Sequence, residues 1–261
     1  MDSVMAVSAW NSNPKLWSAP TRCQGENVSV LDGWLKSAQR ALLGPRCLLC
    51  AAPAPLRREL CDACLADLPW LDAACRHCAL PLSNDASSRA CSDCRQRARF
   101  DRAVAVFHYA PPIDWLVTRL KFQGRLNHAR LLGDLLATRI HAADLDLPDV
   151  LVPVPLHPTG YRRRGFNQAE RIAARLAGPI GSPVDSNLLG RTRDTAPQSS
   201  LAANRRAANV RDAFTVRAPL AGEHVAIVDD VVTTAHTATA VARTLLGAGA
   251  GRVDLYCVAR A

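Results

Sequence analysis

Apolar and polar positions change in regular blocks through the second half of the chain. Apolar residues recur at helical spacing in three segments, 113–141 (with a break near Gly124), 167–177 and 236–248. Short apolar runs typical of buried strands lie around them, at 103–109, 147–155, 224–230 and 252–260. Strands that alternate with helices predict an α/β fold with a mostly parallel sheet covered on both faces.

The first hundred residues follow a different pattern. Residues 1–29 are rich in Ser, Asn and Pro, and we interpret them as a disordered leader. Residues 30–43 carry apolar side chains on one face, which predicts a short amphipathic helix that packs on the protein; a partner or a membrane surface is the alternative. We therefore divide the chain into the leader, a cysteine-rich module with its helix at 30–99, and an α/β domain at 100–261.

Eight of the ten cysteines form four Cys-x-x-Cys pairs. One such turn directs two thiolates at a metal ion, and a second turn completes a tetrahedral sphere. We predict two structural zinc sites of four cysteines each, with no open position for catalysis. The ligands in sequence order are Cys47, Cys50, Cys61 and Cys64 for one site and Cys75, Cys78, Cys91 and Cys94 for the other.

The cysteine spacing leaves alternatives open. A cross-braced arrangement would join the first pair to the third, and iron–sulfur ligation also uses thiolates, although regular paired spacing favours zinc. Because the segment has little apolar core, metal binding is expected to supply most of its folding energy. Outside the pattern, we expect His77 on the surface and Cys257 in the packing of the last strand.

Positive charge is concentrated in one part of the chain. The formal net charge is +9, and residues 160–211 hold ten arginines against three acidic residues, which gives that segment +7. Such a cluster favours phosphate-bearing partners, with an ordinary solvated surface as the alternative. The sequence has neither an apolar run long enough to span a membrane nor a signal-peptide pattern, so we expect a cytoplasmic protein.

Residues 226–237 join an apolar strand, two carboxylates and a hydroxyl-rich turn that opens a helix. Open α/β sheets bind ligands at the carboxyl ends of their strands, and N–H groups at a helix N-terminus bind phosphate. Asp229 and Asp230 suit ribose hydroxyls or Mg²⁺. Taken alone, the pattern also fits a strand that ends in two solvated acids and an ordinary Thr-capped helix.

This segment resembles the phosphoribosyl pyrophosphate (PRPP) motif of type I phosphoribosyltransferases, through Ile-Val-Asp-Asp-Val-Val-Thr-Thr at 227–234. Other segments resemble the signature of the ComF family: 109–124, 151–158 with 163–170, and 193–198 with residues downstream to Phe214. The four cysteine pairs match that family as a double zinc ribbon ahead of a transferase-like domain. The resemblance extends from about residue 30 to the end.

The resemblance implies a sheet of the type I phosphoribosyltransferase kind and a role for each motif. Asp229 and Asp230 would be the catalytic pair that holds the ribose 2′- and 3′-hydroxyls, and Mg²⁺ would accompany PRPP. The 5′-phosphate would bind at Val231, Val232, Thr233, Thr234, Ala235, His236 and Thr237. The pyrophosphate would face a loop and basic segment that contain Pro155, His157, Arg162, Arg163, Arg164, Asn167 and Gln168.

Two features depart from the family pattern. Ala235 stands where the loop usually has glycine, and we expect it to fit if its φ stays negative and otherwise to weaken binding. His236 follows, where a small residue is more usual. Transferases of this class also use a hood over the acceptor, which the zinc module or the helix at 30–43 would have to supply here.

The resemblance implies handling of single-stranded DNA during natural transformation, by the phosphoribosyl site together with the basic segment. Tyr161, Phe166 and Phe100 are the candidates for base stacking. One alternative is a working Mg²⁺-dependent phosphoribosyltransferase of unknown acceptor, and another is a scaffold that docks a helicase-like, DNA-translocating partner. We expect the protein in the cytoplasm or at the inner face of the cell membrane.

Overall fold

The computed structural model describes residues 44–55, 58–83, 89–96, 98–192 and 213–261. The predicted leader with Cys23, the predicted helix at 30–43 and residues 193–212 of the basic segment lie outside this range. The chain divides into two compact units, one that ends at Leu68 and one that runs from Pro69 to Ala261. The first cysteine site belongs to the first unit, and the second cysteine site shares its unit with the sheet.

In the first unit, tight turns present the cysteines. An isolated antiparallel bridge joins Arg46 to Pro53 across the first Cys-x-x-Cys turn. The short helix α1 (Asp62–Ala66) begins after Cys61, whose sulfur accepts a hydrogen bond from the backbone N–H of Cys64. Both turns therefore hold their sulfur atoms by local backbone geometry.

The second unit is built on a four-stranded parallel sheet in the order β1-β6-β5-β2. Its strands are β1 (Ala103–His108), β2 (Val150–Pro153), β5 (His224–Val232) and β6 (Arg252–Arg260). Two shorter strands, β3 (Leu189–Arg191) and β4 (Phe214–Val216), form a separate antiparallel pair. The prediction of an α/β fold with a parallel sheet is confirmed.

The helices of the second unit are α2 (Ser92–Gln96), α3 (Ile113–Gln123), α4 (Leu126–Ala142), α5 (Pro158–Arg164), α6 (Gln168–Ile180) and α7 (His236–Gly247). Gly124 ends α3 in the left-handed conformation with φ 62°, which explains the break in the predicted helix at 113–141. Among the helices that the structure describes, none combines the length and the apolar character that a membrane span requires.

The central strands β5 and β6 are buried because helices cover the sheet. Ile227 and Leu255 from these strands pack in one core cluster with Val241 and Leu245 of α7. Asp254 is fully buried in β6, where it accepts hydrogen bonds from the guanidinium of Arg252 and from the backbone N–H of Arg102. Burial of the charge with partners avoids the cost of an isolated buried carboxylate.

Besides the short helices α1 and α2, three elements were not predicted from the sequence. Helix α5 follows the predicted strand at 147–155, and the strands β3 and β4 lie between the predicted helix at 167–177 and the predicted strand at 224–230. Helix α5 has no buried residue, so it lacks the apolar face that reveals a helix in a sequence. Strand β5 also continues to Val232, two residues beyond the predicted end, because it stays paired with β6 as far as Arg260.

Candidate functional site

A cavity of about 630 Å³ lies where β2 and β5 end, at the edge of the sheet predicted to bind ligand. Its wall combines two carboxylates with several cations and backbone from two loops. The residues that line it are Lys121, Val154, Pro155, Leu156, His157, Thr159, Gly160, Arg163, Arg164, Gln168, Arg191, Asp229, Asp230, Val231, Val232, Thr233, Ala235, His236, Thr237 and Ala238. Thirteen of the sixteen residues predicted for the phosphoribosyl ligand are in this wall.

Residues 232–237 connect β5 to α7, and we name them the phosphate loop after the role that the sequence analysis expects of them. Ala235 occupies the N-cap position of α7 in the left-handed conformation, with φ 59°. No side chain caps the helix, and the first N–H groups of a helix have no intrahelical acceptor. Because Thr237 and Ala238 line the cavity, the positive end of the helix dipole faces it.

The backbone angle φ of Ala235 does not have the sign that the sequence analysis expected. We expected alanine to fit only with negative φ, whereas its φ is positive and its side chain is buried. A left-handed residue with a Cβ costs roughly 1–2 kcal/mol. The loop therefore keeps the backbone shape that glycine would adopt freely, and alanine bears strain in it.

The two carboxylates lie on the cavity wall inside β5. Asp230 is only 2% exposed, and its Oδ2 lies 2.7 Å from Nζ of Lys121 on α3. The sequence analysis gave Lys121 no role, although it belongs to the family-like segment at 109–124. The ion pair explains how a buried carboxylate is tolerated at this position.

Burial and charge shift the proton affinities of this group. Burial, followed by the negative charge of Asp230, raises the pKa of Asp229 to about 8. Desolvation alone would lower the pKa of Lys121, but the ion pair with Asp230 outweighs it, so this pKa is above its ordinary value. The raised pKa favours the protonated form of Asp229 at neutral pH.

Further cations on the cavity wall come from two elements. Arg163 and Arg164 lie on α5, and Arg191 ends β3. The imidazole of His157 caps α5 and accepts a hydrogen bond from the backbone N–H of Thr159. Together with Lys121, these arginines give the wall four formal positive charges against two carboxylates, a balance that suits an anion with several phosphates.

Three predicted ligand-binding residues are not part of the cavity wall: Thr234, Arg162 and Asn167. The side chain of Asn167 is buried, where it donates to the carbonyl of Val154 and caps α6 at Ala169. Asn167 thus joins the loop after β2 to the start of α6.

From the basic segment, Arg175 forms a bidentate pair with Asp134 at 2.5 and 3.0 Å, which fastens α6 to α4.

Two of the three predicted stacking residues are wrong. Phe100 and Phe166 are 3% and 9% exposed, so they pack in the interior and cannot receive a base. Tyr161 on α5 is 47% exposed, and Phe122 on α3, which the sequence analysis missed, is 64% exposed. The guanidinium of Arg164 lies 5.4 Å from the ring centre of Phe122, so this ring stands beside the cavity.

The eight paired cysteines form two clusters in sequence order, and the cross-braced alternative is excluded. In each cluster the four sulfur atoms lie within 4.8 Å of one another. Cys50 and Cys61 sulfurs are 3.6 Å apart, and Cys78 and Cys91 sulfurs are 3.7 Å apart. Four sulfurs bound tetrahedrally to zinc at about 2.3 Å would be separated by about 3.8 Å, so both clusters fit this ion.

The residues beside the clusters behave as ordinary structural groups. His77 joins neither ligand set, and its Nδ1 lies 2.9 Å from the carbonyl oxygen of Phe100. Cys257 is fully buried in β6, as predicted.

Comparisons with known proteins agree with this architecture. A double zinc ribbon domain matches residues 38–98, and a phosphoribosyl transferase domain matches residues 132–261. The DNA utilization protein YhgH of Salmonella typhimurium is 37% identical over 220 residues, which cover 82% of this chain and 96% of that protein. Competence protein F of Haemophilus influenzae is 30% identical over 228 residues, which cover 83% of this chain and 97% of that protein. This chain belongs to the ComF family.

Membership of the ComF family confirms the resemblance seen in the sequence. Among solved structures, a purine phosphoribosyltransferase from Pyrococcus horikoshii matches with a TM-score of 0.32 and 19% identity, over 60% of this chain and 78% of that chain. The match to a double zinc ribbon agrees with the two four-cysteine clusters, which indicates zinc rather than an iron–sulfur centre.

Proposed function

We propose that this protein handles single-stranded DNA during DNA uptake in natural transformation, and that its cavity binds a phosphoribosyl unit. The curated relatives are called DNA utilization protein and competence protein F. The observation that carries the proposal is the cavity wall, where the carboxylates, the phosphate loop and four cationic side chains meet. A ribose needs acceptors for its hydroxyls, and its phosphates need N–H groups and cations.

Each part of the wall has a role in this proposal. Asp229 and Asp230 hold the ribose 2′- and 3′-hydroxyls, and Mg²⁺ bound with PRPP would neutralise them further. The phosphate loop and the N-terminus of α7 receive the 5′-phosphate. Arg163 and Arg164, beside the loop after β2, attract the pyrophosphate or the next phosphate of a strand.

The exposed aromatic side chains extend the cavity toward nucleic acid. Phe122 and Tyr161 are solvent-exposed, and Arg164 contacts the first of them while it also lines the cavity. An exposed ring next to phosphate-binding cations is the arrangement on which bases of a single strand stack. We propose that bases stack on Phe122 while neighbouring phosphates lie along α5 and the basic segment.

We also propose where this activity takes place. The protein would work in the cytoplasm or at the inner face of the cell membrane, where an incoming strand arrives. A helicase-like partner would then pass the strand onward. Co-purification with the partner from a competent host tests this part of the proposal.

The ribose-phosphate site is tested by calorimetry with PRPP and Mg²⁺. We expect binding by the wild type and its loss in Asp229→Ala/Asp230→Ala, with little change in the exposed pair Asp72→Ala/Asp146→Ala. Wild-type protein that binds no PRPP, or a double variant that binds it normally, would contradict the phosphoribosyl site.

The DNA interaction is tested with a fluorescent single strand on the same samples. The logarithm of affinity should fall with the logarithm of salt concentration, with a slope of about −0.7 for each phosphate contacted. Loss of one stacked base costs about 1–3 kcal/mol, so Phe122→Ala should weaken binding about tenfold or more. Leu246→Ala, which changes another exposed apolar side chain, is the control.

A second candidate, an active phosphoribosyltransferase, is favoured by the raised pKa of Asp229, since strongly shifted carboxylates concentrate at reactive sites. The bond from ribose C1 to pyrophosphate would break, and an acceptor nitrogen or oxygen would bond to C1 and give its proton to the leaving pyrophosphate, which would remain near Arg163. The carboxylates would stabilise the positive charge that develops on the ribose. Mg²⁺-dependent release of pyrophosphate in the presence of candidate bases tests this activity.

A further inference from the structure

Two arginines join the phosphate loop to the second four-cysteine site. Arg260 ends β6 and is only 4% exposed. Its Nε donates to the carbonyl of Cys78 at 3.1 Å, and its NH1 donates to the carbonyls of Val232, at 3.1 Å, and of Thr233. One buried side chain therefore connects a cysteine turn to two consecutive peptide groups of the loop.

The second link comes from the other side of the same cysteine site. Arg99 donates from NH1 to the carbonyl of Thr234 at 3.2 Å. Its NH2 lies 3.6 Å from a carboxylate oxygen of Asp93, which stands between Cys91 and Cys94. Three consecutive loop carbonyls, at 232–234, are thus all bound by arginines that also contact the cysteine-rich segment.

The geometry of the peptide bond gives these links a consequence for the cavity. In a planar trans peptide, the C=O and the N–H of one unit point in opposite directions. When the carbonyls of 232, 233 and 234 are held toward the arginines, the N–H groups of Thr233, Thr234 and Ala235 point away from them. Thr233 and Ala235 line the cavity and Thr234 does not, so the N–H groups of Thr233 and Ala235 are the two that this arrangement makes available to an anion there.

We propose that Arg260 and Arg99 are positioning residues for phosphate binding, and that they make the phosphate loop dependent on an intact second four-cysteine site. This inference rests on the proposed function, because it concerns the affinity of the same cavity for a phosphoribosyl ligand. The first four-cysteine site has no part in it.

The test measures PRPP affinity with Mg²⁺ by calorimetry on full-length Arg260→Lys and Arg99→Ala. Lysine keeps the positive charge but has a single nitrogen, which cannot reach the Cys78 carbonyl and the loop together. Residues that orient metal ligands through hydrogen bonds change the affinity of a site without touching the metal. By analogy, we expect the PRPP affinity to fall about 10- to 100-fold in Arg260→Lys and about tenfold in Arg99→Ala. Arg99 is partly exposed, so its variant keeps the test valid if Arg260→Lys folds poorly.

Matched controls come from the same elements. Arg252→Lys changes the arginine at the other end of β6, which pairs with Asp146 and Asp254, and Arg95→Ala changes an exposed arginine of α2. Both should bind PRPP within about twofold of wild type, a difference of less than ~0.5 kcal/mol. Amide hydrogen exchange provides a second readout, and the N–H groups at 233–235 should exchange faster only in the two loop variants.

The metal arm of the test compares the two cysteine sites. Cys91→Ser should lower both the zinc content and the PRPP affinity, whereas Cys61→Ser should lower the zinc content alone. If the wild type binds PRPP and Arg260→Lys and Arg99→Ala bind it equally well, the positioning role is wrong and the proposed function stands. If the wild type binds no PRPP, both fail.

Discussion

The four-cysteine sites and the cavity are held together in different ways. Each cysteine site takes its four ligands from one short segment, 47–64 or 75–94. A bound metal ion would hold the four sulfur atoms of that segment together. The cavity collects side chains from Lys121 to Ala238 that only the folded sheet brings together. A change in a cysteine site should therefore act abruptly through metal loss, whereas changes in the cavity should act in graded steps.

The two cysteine sites also differ from each other, although their spacing is nearly the same. The first lies in the unit that ends at Leu68, and the second shares a unit with the sheet. The segment of the second site bonds to β1 through the N–H of Ala103, which donates to the carbonyl of Arg76 at 2.7 Å. Just before that segment, the N–H of Leu71 donates to the carbonyl of Val106 in β1 at 2.9 Å. Identical ligand chemistry therefore serves a separate module in one case and the main fold in the other.

The largest expected effect separates these two sites. Cys91→Ser and Cys61→Ser should each reduce the zinc content from two ions per chain to one. Because a structural zinc site contributes about 10–16 kcal/mol to the folding of a small module, its loss should unfold the local segment. Only Cys91→Ser should also lower the melting temperature of the sheet domain, by about 10 °C or more.

Scanning calorimetry and metal analysis on the full chain measure this difference. Treatment of wild-type protein with a chelator should reproduce the lower melting temperature, and added zinc should reverse it. If the sheet domain melts at the same temperature in the two variants, the second cysteine site does not stabilise the sheet domain more than the first does.

An intermediate effect concerns the pH dependence of stability that Asp229 gives to the cavity. The pKa of Asp229 is raised to about 8 in the folded protein, above its ordinary value of 3.8. The folded state therefore binds this proton more tightly than the unfolded state. Its stabilising contribution is complete below about pH 4 and is lost as the pH rises through about 8, by at most about 1.4 kcal/mol per pH unit.

Asp229→Asn removes this titration. Its free energy of unfolding, measured by urea denaturation, should fall less between pH 5 and pH 8 than that of the wild type. The difference between the two proteins should be largest near pH 8. Asp146→Asn, at an exposed carboxylate, should follow the wild type. A variant whose pH profile is parallel to the wild type would show that Asp229 is already ionised in the folded protein.

The same contrast explains which features the sequence could predict. Both cysteine sites were predicted with their ligands in sequence order, because each Cys-x-x-Cys turn is a local feature. The spacing left a cross-braced pairing open, and only the folded structure excludes it. The motif residues at the end of β5 were also found, since the chain itself keeps them together. The sequence did not reveal the role of Lys121, because its contact with Asp230 depends on how α3 packs against the sheet. Phe100 and Phe166 were misjudged for the same reason, since tertiary packing decides whether an aromatic ring is buried.

The smallest expected effect on stability is at Ala235, where the loop keeps a left-handed backbone in spite of a Cβ. Ala235→Gly relieves roughly 1–2 kcal/mol of strain. It also removes a buried methyl group worth about 0.8 kcal/mol and adds about 0.4–1 kcal/mol of unfolded-state entropy. These contributions nearly cancel, so the free energy of unfolding should change by less than about 1 kcal/mol.

Ligand affinity should respond more than stability does. Ala235 lines the cavity, and glycine, which adopts the left-handed conformation freely, would let a phosphate approach the loop backbone more closely. We expect tighter PRPP binding in Ala235→Gly by calorimetry, while Ala248→Gly at the far end of α7 leaves the affinity unchanged. Unchanged or weaker binding in Ala235→Gly would mean that the loop already accepts a phosphate with alanine in place, and that the strain at this position belongs to the fold and not to the ligand.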